Sequence, residues 1–277
     1  MRSFLPHQIR RLFFCLWLAL VPPLSAQIFP QPVVIPTGNW PAAIYSADIN
    51  NDGFPDLIYI DQDATPTSAT THVLLNDGRG NFKQSAQLAT AGNSIAIVQF
   101  TGSGHLDLAW LTGTTQSNMQ SHFAFGNGDG TFAATVSSPP FLSPGLSPNP
   151  IQWGFLGTAN YTDSLNRKHF IAEDVANNNL WEFGVYVGNF GGFPSAYFAT
   201  GPQAIPDGSG PLTMADLNGD GKNDIIISGQ TGLAADIFLQ QCGFGFCPAI
   251  RNTGASSSRM VGRARFRLSR SRCRPTC

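Results

Sequence analysis

Residues 48–56 read Asp-Ile-Asn-Asn-Asp-Gly-Phe-Pro-Asp, and residues 216–224 repeat the pattern as Asp-Leu-Asn-Gly-Asp-Gly-Lys-Asn-Asp. Each copy has an oxygen-bearing side chain at positions 1, 3, 5 and 9 and a glycine at position 6. Ca²⁺ takes six to eight oxygen ligands, so a tight loop with such a side chain at every second residue can surround one ion. Without an ion, the three carboxylates of each loop would repel one another. The pattern therefore predicts two cation-binding loops.

An EF-hand is the first alternative for these loops, and the neighbouring sequence argues against it. An EF-hand has a bidentate Glu at position 12 and a helix on either side. Position 12 is Tyr59 in the first copy and Ile227 in the second. The residues that follow, 57–60 and 225–228, are short β-branched runs typical of buried strands. Each loop is therefore predicted to join two strands.

Glycine-rich turns that end in phenylalanine recur between the two loops and after them. Two copies are clear, at residues 75–82 and 125–132, and two are weaker, at residues 187–193 and 241–246. Their closing phenylalanines are separated by 50, 61 and 53 residues, which is the spacing of bladed or solenoid repeats. Strand, calcium loop, strand and glycine–phenylalanine turn together resemble the FG-GAP or VCBS-type repeat of integrin α-like β-propellers.

The resemblance implies an all-β chain of four-stranded antiparallel blades. About four blades are visible in residues 27–250, at about 41–90, 94–137, 151–200 and 210–250. Four-bladed propellers exist, but the family usually closes its ring with seven blades. An incomplete propeller is therefore a second expectation beside a closed one.

The ion implied by the resemblance is Ca²⁺, with two expected sites. In the first, the ligands are the side chains of Asp48, Asn50, Asp52 and Asp56 and the carbonyl of Phe54. In the second, they are the side chains of Asp216, Asn218, Asp220 and Asp224 and the carbonyl of Lys222. Residues 99–107 keep only one carboxylate, so we expect no ion in blade two. The sequence of residues 157–170 leaves open whether blade three binds an ion.

The two ends of the chain differ from the repeats. Residues 1–26 combine three arginines, a short apolar run and small residues at the exit, the pattern of a secretory signal peptide. The run is too short for a stable membrane span, so we expect a secreted, extracellular or periplasmic protein. Residues 251–277 contain eight arginines and no acidic residue, and we expect a disordered tail. Such a tail can indicate a nucleic-acid partner. The repeats stop where a fifth blade should begin, which favours a truncated or frame-disturbed chain instead. No nucleic-acid partner is therefore expected.

The sequence contains no catalytic motif: G-x-S-x-G, H-E-x-x-H and a P-loop are all lacking. The expected function is a non-enzymatic binding or adhesion module for an extracellular protein or glycan. The alternative is a lectin or carbohydrate-active enzyme that uses the propeller as a platform. Its candidate sugar-stacking residues are Trp40, Trp110, Trp153 and Trp181, although tryptophans in propellers more often pack between blades.

Overall fold

A computed structural model describes residues 32, 34–38, 40–62, 68–90, 94–115, 118–140, 150–162, 167–187, 195–229, 234–240 and 250–253. The chain divides into a short unit, Met1–Pro36, and a larger unit, Thr37–Cys277. The strands that the structure describes belong to the larger unit. The predicted signal peptide, residues 1–26, and residues 254–277 of the predicted tail lie outside the described residues.

Within the described residues, sixteen strands form four antiparallel sheets, and in each sheet the strands pair in chain order. Blade one contains β1 (Pro41–Ala47), β2 (Asp56–Gln62), β3 (Ala69–Asn76) and β4 (Phe82–Thr90). Blade two contains β5 (Ala96–Val98), β6 (Asp107–Thr112), β7 (Gln120–Ala124) and β8 (Val136–Ser137). Blade three contains β9 (Trp153–Thr162), β10 (Lys168–Asp174), β11 (Asn179–Tyr186) and β12 (Ser195–Ala204). Blade four contains β13 (Leu212–Ala215), β14 (Asp224–Ser228), β15 (Ala234–Phe238) and β16 (Ile250–Thr253).

The four sheets are arranged in a ring as a four-bladed β-propeller, and the described residues include no helix. This confirms the prediction of an all-β chain built from four-stranded antiparallel blades. The first strand of every blade borders a common cavity of about 620 Å³. Strand β16 also takes in residues 251–253, which the sequence had assigned to the arginine-rich tail. These residues pair with β15 and complete blade four.

Burial along the second strands explains why the blades stack. In β6, five consecutive residues from Asp107 to Leu111 are buried, and β10 is buried from His169 to Asp174. A strand covered on both faces has no polar–apolar alternation. Three core clusters provide the cover, each spanning two neighbouring blades: one and two, two and three, and three and four. Burial of apolar surface between blades, at roughly 25 cal/mol per Å², is the main force that holds them together.

Candidate metal centre

Loops 48–56, 99–107 and 216–224 each join the first strand of a blade to its second strand. In all three, positions 4 and 6 lie in the left-handed region, which glycine enters without steric cost and asparagine tolerates. The residues and their φ angles are Asn51 (59°), Gly53 (89°), Gly102 (71°), Gly104 (92°), Gly219 (77°) and Gly221 (83°). Blade two thus has the same backbone pattern as blades one and four, although its side chains differ.

The aspartate at position 1 accepts hydrogen bonds from main-chain N–H groups within each of the two acidic loops. Asp48 accepts hydrogen bonds from the main-chain N–H groups of Asp52, at 3.1 Å, and Gly53, at 2.9 Å. Asp216 accepts the equivalent pair from Asp220, at 3.2 Å, and Gly221, at 2.9 Å. Blade two has Gln99 at this position.

Positions 3 and 5 form one pattern of short turns in all three loops. The side-chain oxygen at position 3 accepts the N–H of position 5, and the oxygen at position 5 accepts the N–H of position 7. Blade one uses Asn50 and Asp52, with N···O distances of 3.1 and 2.8 Å. Blade two forms the same two bonds with the hydroxyls of Thr101 and Ser103, at 3.4 and 3.2 Å. In blade four the acceptors are Asn218 and Asp220, at 2.8 and 3.0 Å.

Position 9 is an aspartate in each loop, and its carboxylate points into the blade. Its two oxygens accept the N–H of position 2 and an N–H at the end of the third strand. Asp56 bonds Ile49 and Asn76, both at 2.9 Å. Asp107 bonds Phe100 at 2.8 Å and Gly126 at 3.0 Å. Asp224 bonds Leu217 at 2.9 Å and Gln240 at 2.8 Å. All three aspartates are buried. The sequence pattern predicted Asp56 and Asp224 as ligands, and it gave no sign that the aspartate of position 9 anchors the loop in all three blades.

The charges of loop four affect one another. Main-chain N–H donors, that of Gly221 foremost, hold the pKa of Asp216 below its ordinary value. Burial raises the pKa of Asp224, and the negative charges of Asp220 and Asp216 raise it further, against the hydrogen bonds from Gln240 and Leu217. A cation beside Asp216 and Asp220 would offset their repulsion of Asp224.

The side chains at positions 1, 3 and 5 suit a hard cation in blades one and four. Two carboxylates lie close together in each of these tight loops, Asp48 and Asp52 in the first and Asp216 and Asp220 in the second. An amide oxygen lies between the two members of each pair. Among the described residues, no group of three His, Cys, Asp or Glu side chains is gathered as a metal would require. In loops one and four the third carboxylate, at position 9, accepts hydrogen bonds from main-chain N–H groups.

The carboxylate oxygens at position 9 each have a further lone pair, so their main-chain hydrogen bonds leave them the capacity to bind an ion. Position 7 is Phe54 in blade one, where the ring lies over Gly78 of the closing turn. It is Lys222 in blade four. The predicted ligand set therefore fits the loop chemistry, with positions 1, 3 and 5 on the exposed side.

In blade three the first strand, β9, is longer than the first strands of the other blades, and residues 163–166 between β9 and β10 lie outside the described residues. The sequence left open whether this blade binds an ion, and the segment on which the answer depends lies outside the described residues.

The predicted sugar-stacking tryptophans separate into two groups. Trp110 and Trp181 are buried in the clusters between blades, and Trp153 packs against one of these clusters. Trp40, just before β1, is 67% exposed. A role in the core is therefore confirmed for Trp110 and Trp181, and only Trp40 has the exposure that sugar stacking needs.

The sequence gave no indication of a buried pair in blade three. His169 Nδ1 lies 3.0 Å from Glu182 Oε1, and both side chains are almost fully buried. They lie on neighbouring strands, β10 and β11, whose register the sequence alone does not reveal. A single histidine and a single glutamate 13 residues apart give no pattern from which the pair could be found.

The cavity bordered by the first strands is lined by aliphatic and aromatic side chains, hydroxyls and one amide. Its polar side chains are those of Tyr45, Ser46, Thr158, Thr213 and Asn223. Among the described residues that line it, none is a carboxylate, histidine or lysine. It therefore offers hydrogen-bonding groups rather than a general acid–base pair.

No family model and no curated protein sequence matches this chain. Within the described residues there is no helix of the length and apolar character that a membrane span requires.

Proposed function

We propose that this protein is an exported, calcium-binding β-propeller of the FG-GAP or VCBS type that serves as a non-enzymatic binding module. The proposal of calcium sites rests on the comparison of blade two with blades one and four. Loop 99–107 forms the same turns as the acidic loops with the neutral side chains Thr101 and Ser103. The backbone of such a loop therefore does not need the carboxylates at positions 1 and 5.

Those carboxylates carry an electrostatic cost that the fold alone does not explain. Asp48 and Asp52 are held within one short loop, as are Asp216 and Asp220, and like charges at this distance repel. A bound Ca²⁺ would convert the repulsion into attraction and tie positions 1, 3 and 5 together. The proposed role of the ion is structural. It neutralises the loop and fixes the connection between the first and second strands.

Export is supported by the basic stretch, apolar run and small-residue exit of residues 1–26. In an extracellular module a weak calcium affinity, with Kd on the order of 10⁻⁴ to 10⁻³ M, is sufficient. The proposed partner is an extracellular protein or a glycan.

Thermal melting tests the calcium site. In about 5 mM Ca²⁺ each occupied site should add about 1–2 kcal/mol to the free energy of unfolding, so Tm should rise relative to chelator. Mg²⁺ at the same concentration is the control, because it requires a near-ideal octahedron of ligands. A Tm that is the same in Ca²⁺ and in chelator would overturn the proposal.

A sugar-binding role is the second candidate, and the exposure of Trp40 favours it. An exposed indole can stack on the apolar face of a pyranose. Binding on a glycan array that is lost in Trp40→Ala would support it. The matched control is Ile44→Ala, since Ile44 is a similarly exposed apolar residue on β1. Substitution of Trp110 or Trp181 cannot serve as this test, because their removal would disrupt the core.

A further inference from the structure

The cavity of about 620 Å³ is bordered by the first strand of every blade. Each first strand lies at the edge of its sheet and has one pairing partner there, the second strand. A strand at the edge of a sheet has main-chain N–H and C=O groups that point away from its partner and can bond another group. The inner edges of the four blades therefore bring main-chain hydrogen-bonding groups to this cavity.

Side chains of neighbouring blades occupy these groups in blades two and three. The N–H of Ile95, directly before β5, donates to the Tyr45 hydroxyl of blade one at 3.1 Å. The Ile97 carbonyl accepts the Thr158 hydroxyl of blade three at 2.7 Å, and the Thr158 carbonyl accepts the side-chain amide of Asn223 in blade four at 3.3 Å. These bonds link the inner edges of blades one to four in sequence.

The inner edge of blade one has no such cover. The register of β1 with β2, together with the bond from the Gln62 N–H to the Trp40 carbonyl, turns the main-chain groups of Ile44 and Ser46 toward the cavity. None of the described residues forms a hydrogen bond with these groups. Strand β1 also has no charged side chain, which is one of the features that protect an edge strand from pairing.

The inner edge of blade four is open in the same way. The bond from the Ser228 N–H to the Pro211 carbonyl sets the register, so the main-chain groups of Leu212 and Met214 are turned toward the cavity. Among the described residues, no hydrogen bond joins β1 to β13, and no core cluster spans blades four and one. The cavity is therefore open to a further strand on this side.

The size and the charge of the cavity indicate what kind of strand fits. A strand rises about 3.4 Å per residue and lies about 4.8 Å from its neighbour, and packed sheets lie about 10 Å apart, so one residue takes about 160 Å³. The cavity thus has room for roughly four extended residues. None of the described residues that line it is charged, although residues 27–250 have a formal charge of −12. A matching segment is uncharged.

We propose that the cavity binds an uncharged peptide segment in extended conformation, which adds to the open edge of β1 as a further strand. The main-chain groups of Ile44 and Ser46 pair with the segment, and the Ile44 side chain, which is 65% exposed, packs against it. The inference rests on the proposed role as a binding module and names a protein segment as the partner. It does not depend on calcium.

Ligand-observed NMR in the presence of chelator tests this site. The probe is a pool of tetrapeptides of alanine, valine, serine and threonine with blocked ends, and the member that binds best is then titrated. The control is the same peptide with methylated main-chain nitrogens, which cannot donate to β1 and should bind at least tenfold more weakly. An intact protein that binds no member of the pool, or that binds the methylated peptide equally well, would overturn the proposal. A chain that is stabilised by Ca²⁺ but binds no peptide would refute the peptide site alone.

Two variants of Ile44 separate main-chain pairing from side-chain contact. Ile44→Pro removes an N–H that faces the cavity rather than β2, a position at which an edge strand tolerates proline. It should weaken peptide binding at least tenfold. Ile44→Ala keeps the N–H and should leave the affinity within threefold. Equal affinities of the two variants would contradict pairing with β1.

Ile44→Asp gives a second test with less risk to the fold, because the side chain of Ile44 is mostly exposed. It places a charge in the uncharged cavity and should weaken binding at least tenfold. The matched control is Val187→Asp, since Val187 is 44% exposed just after β11 and does not line the cavity. The control should bind within twofold of the unmodified protein. Unchanged binding in Ile44→Asp would place the peptide elsewhere, and equal weakening by both variants would mean that overall charge is responsible; either result would contradict the proposal.

Discussion

Asp107 accepts main-chain hydrogen bonds from Phe100, Thr101 and Gly126, in a loop that has no other carboxylate. Asp56 and Asp224 anchor the acidic loops in the same way. At the scale of single residues, the aspartate of position 9 therefore serves the fold in all three blades. The carboxylates of positions 1 and 5 are present in only two of them.

Asp107→Ala should separate these roles. It leaves buried N–H donors without an acceptor, and we expect a loss of about 3 kcal/mol in the free energy of unfolding. The loss should be equal in calcium and in chelator, because blade two is expected to hold no ion. The control is Thr101→Ala, which keeps the carboxylate and should cost less than about 1 kcal/mol. Chemical denaturation measures both. A loss for Asp107→Ala that appears only in calcium would contradict the assignment.

Asp220→Asn should have opposite effects with and without calcium. The variant keeps the side-chain oxygen that accepts the N–H of Lys222 but removes a charge that raises the pKa of Asp224. A carboxyl whose pKa is higher in the folded protein than in the unfolded chain destabilises the fold at high pH. The effect grows as pH rises above the pKa of the unfolded state, which is about 3.9 for aspartate. In chelator at pH 7, Asp220→Asn should therefore raise Tm, and this advantage should vanish as pH falls below about 3.9.

In calcium the same substitution removes a proposed ligand, so the rise in Tm on adding Ca²⁺ should become smaller. Ser103→Ala, at the same position of blade two, should leave the calcium response intact. Melting curves of the two variants between pH 3 and pH 7 provide the comparison. A calcium response in Asp220→Asn equal to that of the unmodified protein would argue against a ligand at position 5.

At the scale of elements, the first strands of three blades are connected through one hydroxyl. Ser94, just before β5, lies 2.8 Å from the Tyr45 hydroxyl of β1 and accepts the N–H of Leu156 in β9 at 2.6 Å. Ser94 and Leu156 are buried. A further bond, from the Thr158 hydroxyl to the Ile97 carbonyl at 2.7 Å, joins β9 to β5.

Ser94→Ala should therefore weaken the junction of blades one, two and three. It leaves the Leu156 N–H and the Tyr45 hydroxyl without this partner, and we expect a loss of about 2 kcal/mol in the free energy of unfolding. Ser46→Ala, at an exposed serine of β1, should change the free energy by no more than about 0.5 kcal/mol. Equal effects of the two substitutions in chemical denaturation would mean that the hydroxyl does not hold the first strands together.

At the scale of the whole molecule, local pattern predicted most of the architecture. The strand–loop–strand signature and the glycine–phenylalanine turns depend on neighbouring residues, so they revealed the four blades and strands such as β1 and β2. Features that depend on the ring were not visible in the sequence. The His169–Glu182 pair needs the register of β10 with β11. A cleft of about 480 Å³ between loop 99–107 and the ends of β10 and β11 needs blade three placed beside that loop.

The inward role of Asp56 was also hidden, because its partner Asn76 lies 20 residues away on another strand. The calcium ligands themselves stay a prediction. Their spacing is local and clear, but the turns at positions 3 and 5 can form from hydroxyls in place of carboxylate and amide groups, as blade two demonstrates. Sequence spacing thus identifies the loop, and only the charge on it distinguishes an ion-binding copy from a neutral one.

The number of calcium ions bound by the folded protein tests this account most directly. Calorimetric titration of the mature chain should give two equivalents of Ca²⁺. Asp52→Asn and Asp220→Asn should each give one equivalent, and the double variant none, while Ser103→Ala keeps two. A folded chain that binds no calcium, or a double variant that still binds two equivalents, would contradict the assignment of the acidic loops in blades one and four.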